Sequence, residues 1–131
     1  RVMWETRNFG LTSPIDLRGL ENAVNRNQLL TAFYFGIPGP KMLWQFGEFG
    51  YDLELNNDRL GIKPTRWEYL QDAQRLRLYK LYQQMIKLKS EHKVFSAPAK
   101  ATLNLSASIK SIQLEHPDLD VVIHGNFGLN T

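Results

Sequence analysis

Hydrophobic positions along this chain change their spacing several times, and each change predicts an element. Leu20, Ala23 and Val24 stand at helical spacing, and Leu29 to Ile37 is apolar nearly all round. This pattern predicts a helix from an N-cap near Asp16 to about Gly36. Its late part needs a covering of other protein, because Phe33, Tyr34, Phe35 and Ile37 leave almost no polar face. Two prolines and two glycines in Gly36-Ile37-Pro38-Gly39-Pro40 then stop the helix in a tight turn. Residues 41–46 (KMLWQF) are a mostly apolar run of strand length, as expected of a parallel strand buried on both faces. A loop, Gly47-Glu48-Phe49-Gly50, follows it. Residues 1–15 show little regularity and read as a loop broken at Gly10. Residues 53–69, with Asn56-Asn57-Asp58, Gly61 and Pro64, read as a long loop of the kind that carries function. The clearest helix lies over residues 72–92, where Leu78, Leu81, Tyr82, Met85 and Leu88 form one stripe. Asp72 suits its N-cap, and Lys87, Lys89 and His92 suit the negative end of its dipole. Residues 96–100, with Pro98, mark a domain boundary. Beyond it, residues 101–106, 109–115 and 120–127 read as strands separated by turn signals such as His116-Pro117-Asp118.

Helix, tight turn, apolar strand and loop form one unit of an α/β barrel, whose sites lie on loops after the strands. One unit cannot bury itself. The run FGIPGPKMLWQFGEFGYD resembles the α-amylase family of glycoside hydrolases at the seventh helix, eighth strand and following loop of the catalytic barrel. Members carry a helix rich in Ala and Phe, a PG(I/P)P-like turn, an apolar strand and a Gly-x-Glu-x-Gly loop; here the loop is one residue shorter. The later LGIKPTRWEYLQDAQRLRLYKLYQQMIKLKSEHKVF is similar to bacterial members. There Lys-Pro-x-Arg-Trp precedes the last barrel helix, and x-His-x-Val-Phe leads into an all-β C-terminal domain. Taken singly, such turns and strands occur in any α/β protein, and the ordered series carries the resemblance. It implies a fragment of a (β/α)8 barrel comprising the seventh helix, eighth strand and eighth helix, then part of an antiparallel β-domain, α+β overall. Residues 1–95 would be the barrel part and residues 96–131 the start of the all-β domain.

Composition changes this picture little. At 131 residues and 43% hydrophobic, the chain has the content of one ordinary domain. It holds no apolar run near the roughly 20 residues of a membrane span, and no signal peptide opens it. A first residue Arg1 rather than Met reads as a processed or excised piece. Without cysteine there is no disulfide or thiol chemistry. Net charge is +3, with Lys and Arg concentrated in residues 75–93. Such a stretch can mark nucleic-acid binding, but its interleaving with Gln and apolar positions reads as the solvated face of an amphipathic helix. No nucleic-acid partner is expected. His92, His116 and His124 have no ligand spacing, so no metal or other cofactor is expected in this chain. The resemblance leaves calcium open for the parent. No P-loop, GxGxxG or Gly-x-Ser-x-Gly pattern is present.

Retaining glycosidases place two carboxyl groups about 5–5.5 Å apart. The resemblance implies a nucleophilic Asp, an acid/base Glu and a supporting Asp after strands four, five and seven, all upstream of Arg1. No catalytic residue is therefore expected in this chain, which alone should be inactive. Glu5, Glu48, Asp52 and Glu68, nearest the barrel mouth, read as loop hydrogen-bonding groups. The candidate substrate contacts are Trp4, Glu48, Tyr51, Arg66 and Trp67, since aromatic faces stack on sugar rings and Arg offers a rigid fork to hydroxyls. For Arg66 and Trp67 packing and contact both stay open. Trp44, mid-strand, reads as core. The implied parent acts on α-glucans, with hydrolysis of α-1,4 links in starch-like polymers ahead of branching or transglycosylation, and export from the cell is plausible for it. A non-catalytic carbohydrate- or protein-binding module is the alternative of another class. The isolated chain is expected to self-associate through its unpaired strand.

Overall fold

Three α-helices and a three-stranded antiparallel sheet give the chain an α+β fold in the computed structural model, which describes residues 2–54 and 61–129. The helices are α1 (Val2–Phe9), α2 (Leu20–Gly36) and α3 (Ala73–Glu91), and the strands are β1 (Lys100–Asn104), β2 (Ile109–Glu115) and β3 (Val121–Asn126). Two compact units divide the chain: Arg1–Gln28 with Leu43–Lys80, and Leu29–Met42 with Leu81–Thr131.

In the first unit, α1 stands where the sequence pattern suggested a loop. Only one of its residues, Met3, is buried, and at eight residues the helix is too short for its apolar spacing to stand out along the chain. Met3 seats against Gly50, where an added Cβ would lie 2.9 Å from Met3 Cγ and the backbone has φ 69°. Helix α2 begins at Leu20, three residues later than the Asp16 cap predicts. Asp16 instead accepts the Arg18 amide in a local turn, at 3.0 Å, and the Gly19 carbonyl takes the first helical bond from Ala23. The predicted cap of α3 is present. Asp72 Oδ1 accepts the amides of Gln74 at 2.9 Å and Arg75 at 3.0 Å, satisfying two donors that a helix start leaves over.

The main departure is at residues 41–46, which form no strand. Residues 41–44 have no regular secondary structure and no ladder partner among the described residues, and the chain then turns at Phe46. Phe46 has φ 59°, a left-handed conformation that costs a bulky residue about 1–2 kcal/mol. Its carbonyl accepts the amides of Phe49 and Tyr51, both at 3.1 Å. That reversal drives the Phe46 ring into a cluster with Phe49 and Tyr51, against which Leu53, Tyr69 and Tyr79 pack. A strand needs neighbours to pair its backbone, and the only sheet among the described residues is the three-stranded one. The predicted Gly-Glu loop is a short 3-10 turn, Gly47–Phe49, and a second such turn, Trp67–Gln71, ends the predicted long loop. The Asn56-Asn57-Asp58 turn signal lies outside the described residues.

The second unit follows its sequence pattern closely. The sheet order is β1-β2-β3, with Ile112 of β2 opposite Leu103 of β1 and Ile123 of β3. Alternation places Ile112 and Leu114 on the inner face and leaves Ser111, Gln113 and Glu115 on the other. Phe33, Val94 and Phe95 join the two inward β2 residues in one core. Close approach of α2 to this sheet needs glycine twice. A Cβ on Gly125 would lie 2.4 Å from the Phe33 ring, and one on Gly36 would lie 2.3 Å from Ile123 Cδ1. The α2 end is closed by two lysines. Lys89 Nζ donates to the carbonyls of Phe35, Ile37 and Phe95 at 3.3, 3.1 and 2.8 Å, and Lys41 Nζ to those of Pro38, Gly39 and Pro40 at 3.3, 3.1 and 3.4 Å.

Candidate functional site

The predicted contacts Glu48, Tyr51, Arg66 and Trp67 fall in the first unit, on the two segments that flank its aromatic cluster. Trp67 starts the second 3-10 turn and is 65% exposed, held edge-on against Phe46 with ring centroids 5.0 Å apart. Arg66 Nη1 donates to Glu68 Oε1 at 2.9 Å, and its Nε is buried with no hydrogen-bond partner among the described residues. Tyr51 is 4% exposed, and its hydroxyl is likewise buried and unpartnered among the described residues. Burial pushes the Tyr51 phenol up in pKa, with the Arg66 charge opposing and the Asp52 charge adding to the shift. Glu48 is half-buried in its turn. Trp4 lies on α1, its ring edge-on to Phe9 of the same helix at 5.4 Å.

Two residues outside the predicted set belong here. Trp44, expected in a core, is 61% exposed, because the strand that would have buried it does not form. Lys63 Nζ lies 5.2 Å from the Trp44 ring centroid and 4.9 Å from that of Tyr51, so the ammonium joins the two rings by cation–π attraction. Sequence spacing could not have shown this, since Trp44 and Lys63 are not neighbours in the chain.

Beside these groups Asp52 organises a charged network. Its Oδ2 meets Arg75 Nη2 at 2.8 Å and Arg7 Nη1 at 2.9 Å, and its Oδ1 accepts the Tyr69 hydroxyl at 2.7 Å. Arg75, read from the sequence as solvated, is 5% exposed. Its Nη1 also donates to the Phe49 and Gly50 carbonyls at 3.0 and 2.6 Å, and its guanidinium stacks 3.8 Å from the Tyr69 ring centroid. Every oxygen of Asp52 is thus committed, and it is a hydrogen-bonding group, as the sequence suggested. Glu68 likewise accepts from Arg66.

Burial and the Asp52 hydrogen bond push the Tyr69 phenol up to about 12, above its ordinary 10.0. A raised value means that the folded state holds this proton more tightly than the unfolded chain. The stabilisation is fully present below pH 10 and is lost as pH climbs towards 12. Lys41 and Lys89, which burial holds below their ordinary range, act in the opposite sense. The informative quantity is therefore the difference between wild type and Tyr69→Phe. Wild-type stability should fall more steeply than that of the variant across this window in urea titrations at successive pH values. Parallel curves would show that the phenol and Asp52 are not coupled.

Among the described residues no group of three or more His, Asp or Glu side chains could hold a metal ion. No helix there is long and apolar enough to cross a membrane. The chain matches no protein-family model, and it has no significant match among curated proteins.

Proposed function

We propose that the chain is the C-terminal part of an α-amylase-family glycoside hydrolase. In this reading residues 1–95 end the (β/α)8 barrel, with α2 as seventh helix, residues 41–46 as eighth strand and α3 as eighth helix. Residues 96–131 begin the all-β C-terminal domain. The parent cleaves α-1,4 links of starch-like glucans with retention, and its catalytic carboxylates lie upstream of Arg1. Branching or glycosyl transfer by the same double displacement is the second reading within the class.

The observation that carries the proposal is an apolar run of strand length that the chain buries only at its last residue, Phe46. Met42 is 72% exposed and Trp44 61%, with no ladder partner among the described residues. A barrel supplies a parallel neighbour on each side of such a run and layers of side chains against it. A self-sufficient binding module, the alternative of another class, would bury its own apolar strand. On the same grounds the chain by itself self-associates through this run.

The encoded sequence immediately before Arg1 is the direct test. A His-Asp pair within a few residues is expected, and a start codon there would sink the proposal. In assays, the 131-residue chain should leave starch and a chromogenic maltoside untouched, whereas the chain joined to its preceding barrel segment should hydrolyse both. Turnover by the shorter chain that Glu48→Gln abolishes would mean that the active site has been misplaced.

A further inference from the structure

The turn after α2 is held by a lysine of the chain itself, and the residue that leaves it is gripped by a side chain of the helix. Pro38, Gly39 and Pro40 offer their carbonyls to Lys41 Nζ. That ammonium also lies 5.5 Å from the Tyr34 ring centroid. Met42 thus comes back beside Tyr34, both residues belonging to the second unit. The Tyr34 hydroxyl donates to the Met42 carbonyl at 2.9 Å and accepts the Met42 amide at 3.0 Å. A hydroxyl can do both with one oxygen. In an antiparallel ladder a residue exchanges the same two bonds with the residue opposite it. Tyr34 therefore occupies the two backbone groups through which Met42 would join a neighbouring strand. Both bonds lie in an exposed setting, where water would serve the same groups, so burial does not require them. What the hydroxyl adds there is a barrier to another backbone.

We propose that the Tyr34 hydroxyl is a latch that holds residues 41–44 out of sheet pairing, and that in the chain alone the pairing it opposes is with the same run of a second copy. When the latch opens, the Met42 amide and carbonyl bond to the neighbouring backbone, and the exposed Met42, Leu43 and Trp44 side chains are covered in the contact. The Tyr34 ring is 37% exposed, so the freed hydroxyl turns to water. A second copy fits because the run is compatible with itself. Residues 42–46 carry no charge, and the one cation beside them, Lys41, is turned back onto the carbonyls of its own turn. Two copies meeting about a two-fold axis therefore bring no like charges face to face. In the proposed parent the same latch opens as the barrel neighbours of residues 41–46 come in. The strand character of the run rests on the proposed function above, whereas the latch rests on the geometry at Tyr34 and Met42.

Sedimentation equilibrium of the 131-residue chain and its Tyr34→Phe variant tests this. The variant keeps the ring, and with it the contact to Lys41, and loses only the hydroxyl. A latch that favours its closed state roughly three- to tenfold, the net worth of one hydrogen bond, has to open in both copies. The dimer dissociation constant of Tyr34→Phe should therefore be lower by the square of that factor, roughly 10- to 100-fold. Amide exchange gives a second reading. In dilute solution the Met42 amide should be protected in wild type and exchange faster in the variant. At concentrations where the variant dimerises, protection should return to Met42 and extend to Leu43 and Trp44. A hydroxyl that merely steadied the turn would speed Met42 exchange alike at every concentration. Equal dissociation constants, a variant that stays monomeric at the highest attainable concentration, or Met42 exchange indifferent to concentration would overturn the proposal. A His-Asp pair before Arg1 together with equal association would refute the latch alone. A start codon there, with tighter association of the variant, would leave the latch standing and remove the barrel reading.

Discussion

Replacing Arg75 with alanine should lower the unfolding free energy by about 3 kcal/mol, near the lower end of the range for breaking a buried ion pair. The guanidinium meets Asp52 at 2.8 Å and two carbonyls at 3.0 and 2.6 Å. Its removal therefore strands acceptors that solvent does not reach easily. Arg7 still pairs with Asp52 in that variant, at 2.9 Å, which keeps the loss from being larger. Asp52→Ala should cost at least as much, because it also deprives the Tyr69 hydroxyl of its acceptor. The two substitutions share one interaction, so the double variant should be less destabilised than the sum by roughly 1–3 kcal/mol. Lys87→Ala is the control: its exposed pairing with Glu91 at 3.8 Å is worth no more than about 0.5 kcal/mol. All three tryptophans lie in the first unit, so their fluorescence follows its unfolding in urea directly. A loss below about 1 kcal/mol for Arg75→Ala would assign the arginine to the surface, as the sequence alone suggested.

Why Arg75 was misread shows where sequence reading stops. Arg75, Leu78, Tyr82, Met85 and Lys89 recur at three- and four-residue steps along α3, so the apolar stripe begins and ends on a cation. Leu88, counted into the stripe from its apolar character, is exposed instead. Helical spacing was legible, but the groups that accept from these cations come from other segments. The Arg75 acceptors are 23 to 26 residues distant, and those for Lys89 at the end of α2 and just beyond it are 54 and 52 residues away. The second unit was legible because its signals are local, period-two alternation in β2 and turn residues at His116-Pro117-Asp118, and the Asp72 cap at the head of α3 in the first unit was legible on the same ground. Residues 41–46 were misread for the opposite reason. Their pattern is that of a buried strand, but pairing is a property of neighbours, and the described residues contain none for them. The candidate site divides in the same way. Tyr51, Arg66 and Trp67 could be picked out by residue type and loop position. Trp44 could not, because its exposure follows from the missing pairing, and Lys63 could not, because its partners are set by the turn at Phe46.

Ile112→Ala should be the most damaging single truncation in the second unit, with an expected loss of about 3–4 kcal/mol, within the range for large-to-small core changes. Ile112 is fully buried on the central strand and faces Leu103 and Ile123 across both ladders. Its side chain packs in the core that Phe33, Val94, Phe95 and Leu114 complete. Truncation removes roughly three methylene-equivalents of apolar contact, about 2 kcal/mol by transfer alone. It also leaves a cavity that neighbours cannot readily fill. Gly36 and Gly125 are already in tight contact with Ile123 and Phe33, so helix and sheet cannot approach further there without clashing. Val122 provides the contrast on the same sheet. It points to the opposite face and is largely exposed, so Val122→Ala should cost only a few tenths of a kcal/mol. Amide exchange at residues 111–114 under native conditions reads the difference, because slow exchange there reports opening of the central strand. Ile112→Ala should accelerate exchange at these amides by a factor of roughly 100 to 1,000, the equivalent of its free-energy loss. If the two variants exchange alike, the sheet's inner face is not a packed core, and the close fit of α2 against Gly125 and Ile123 contributes little to its stability.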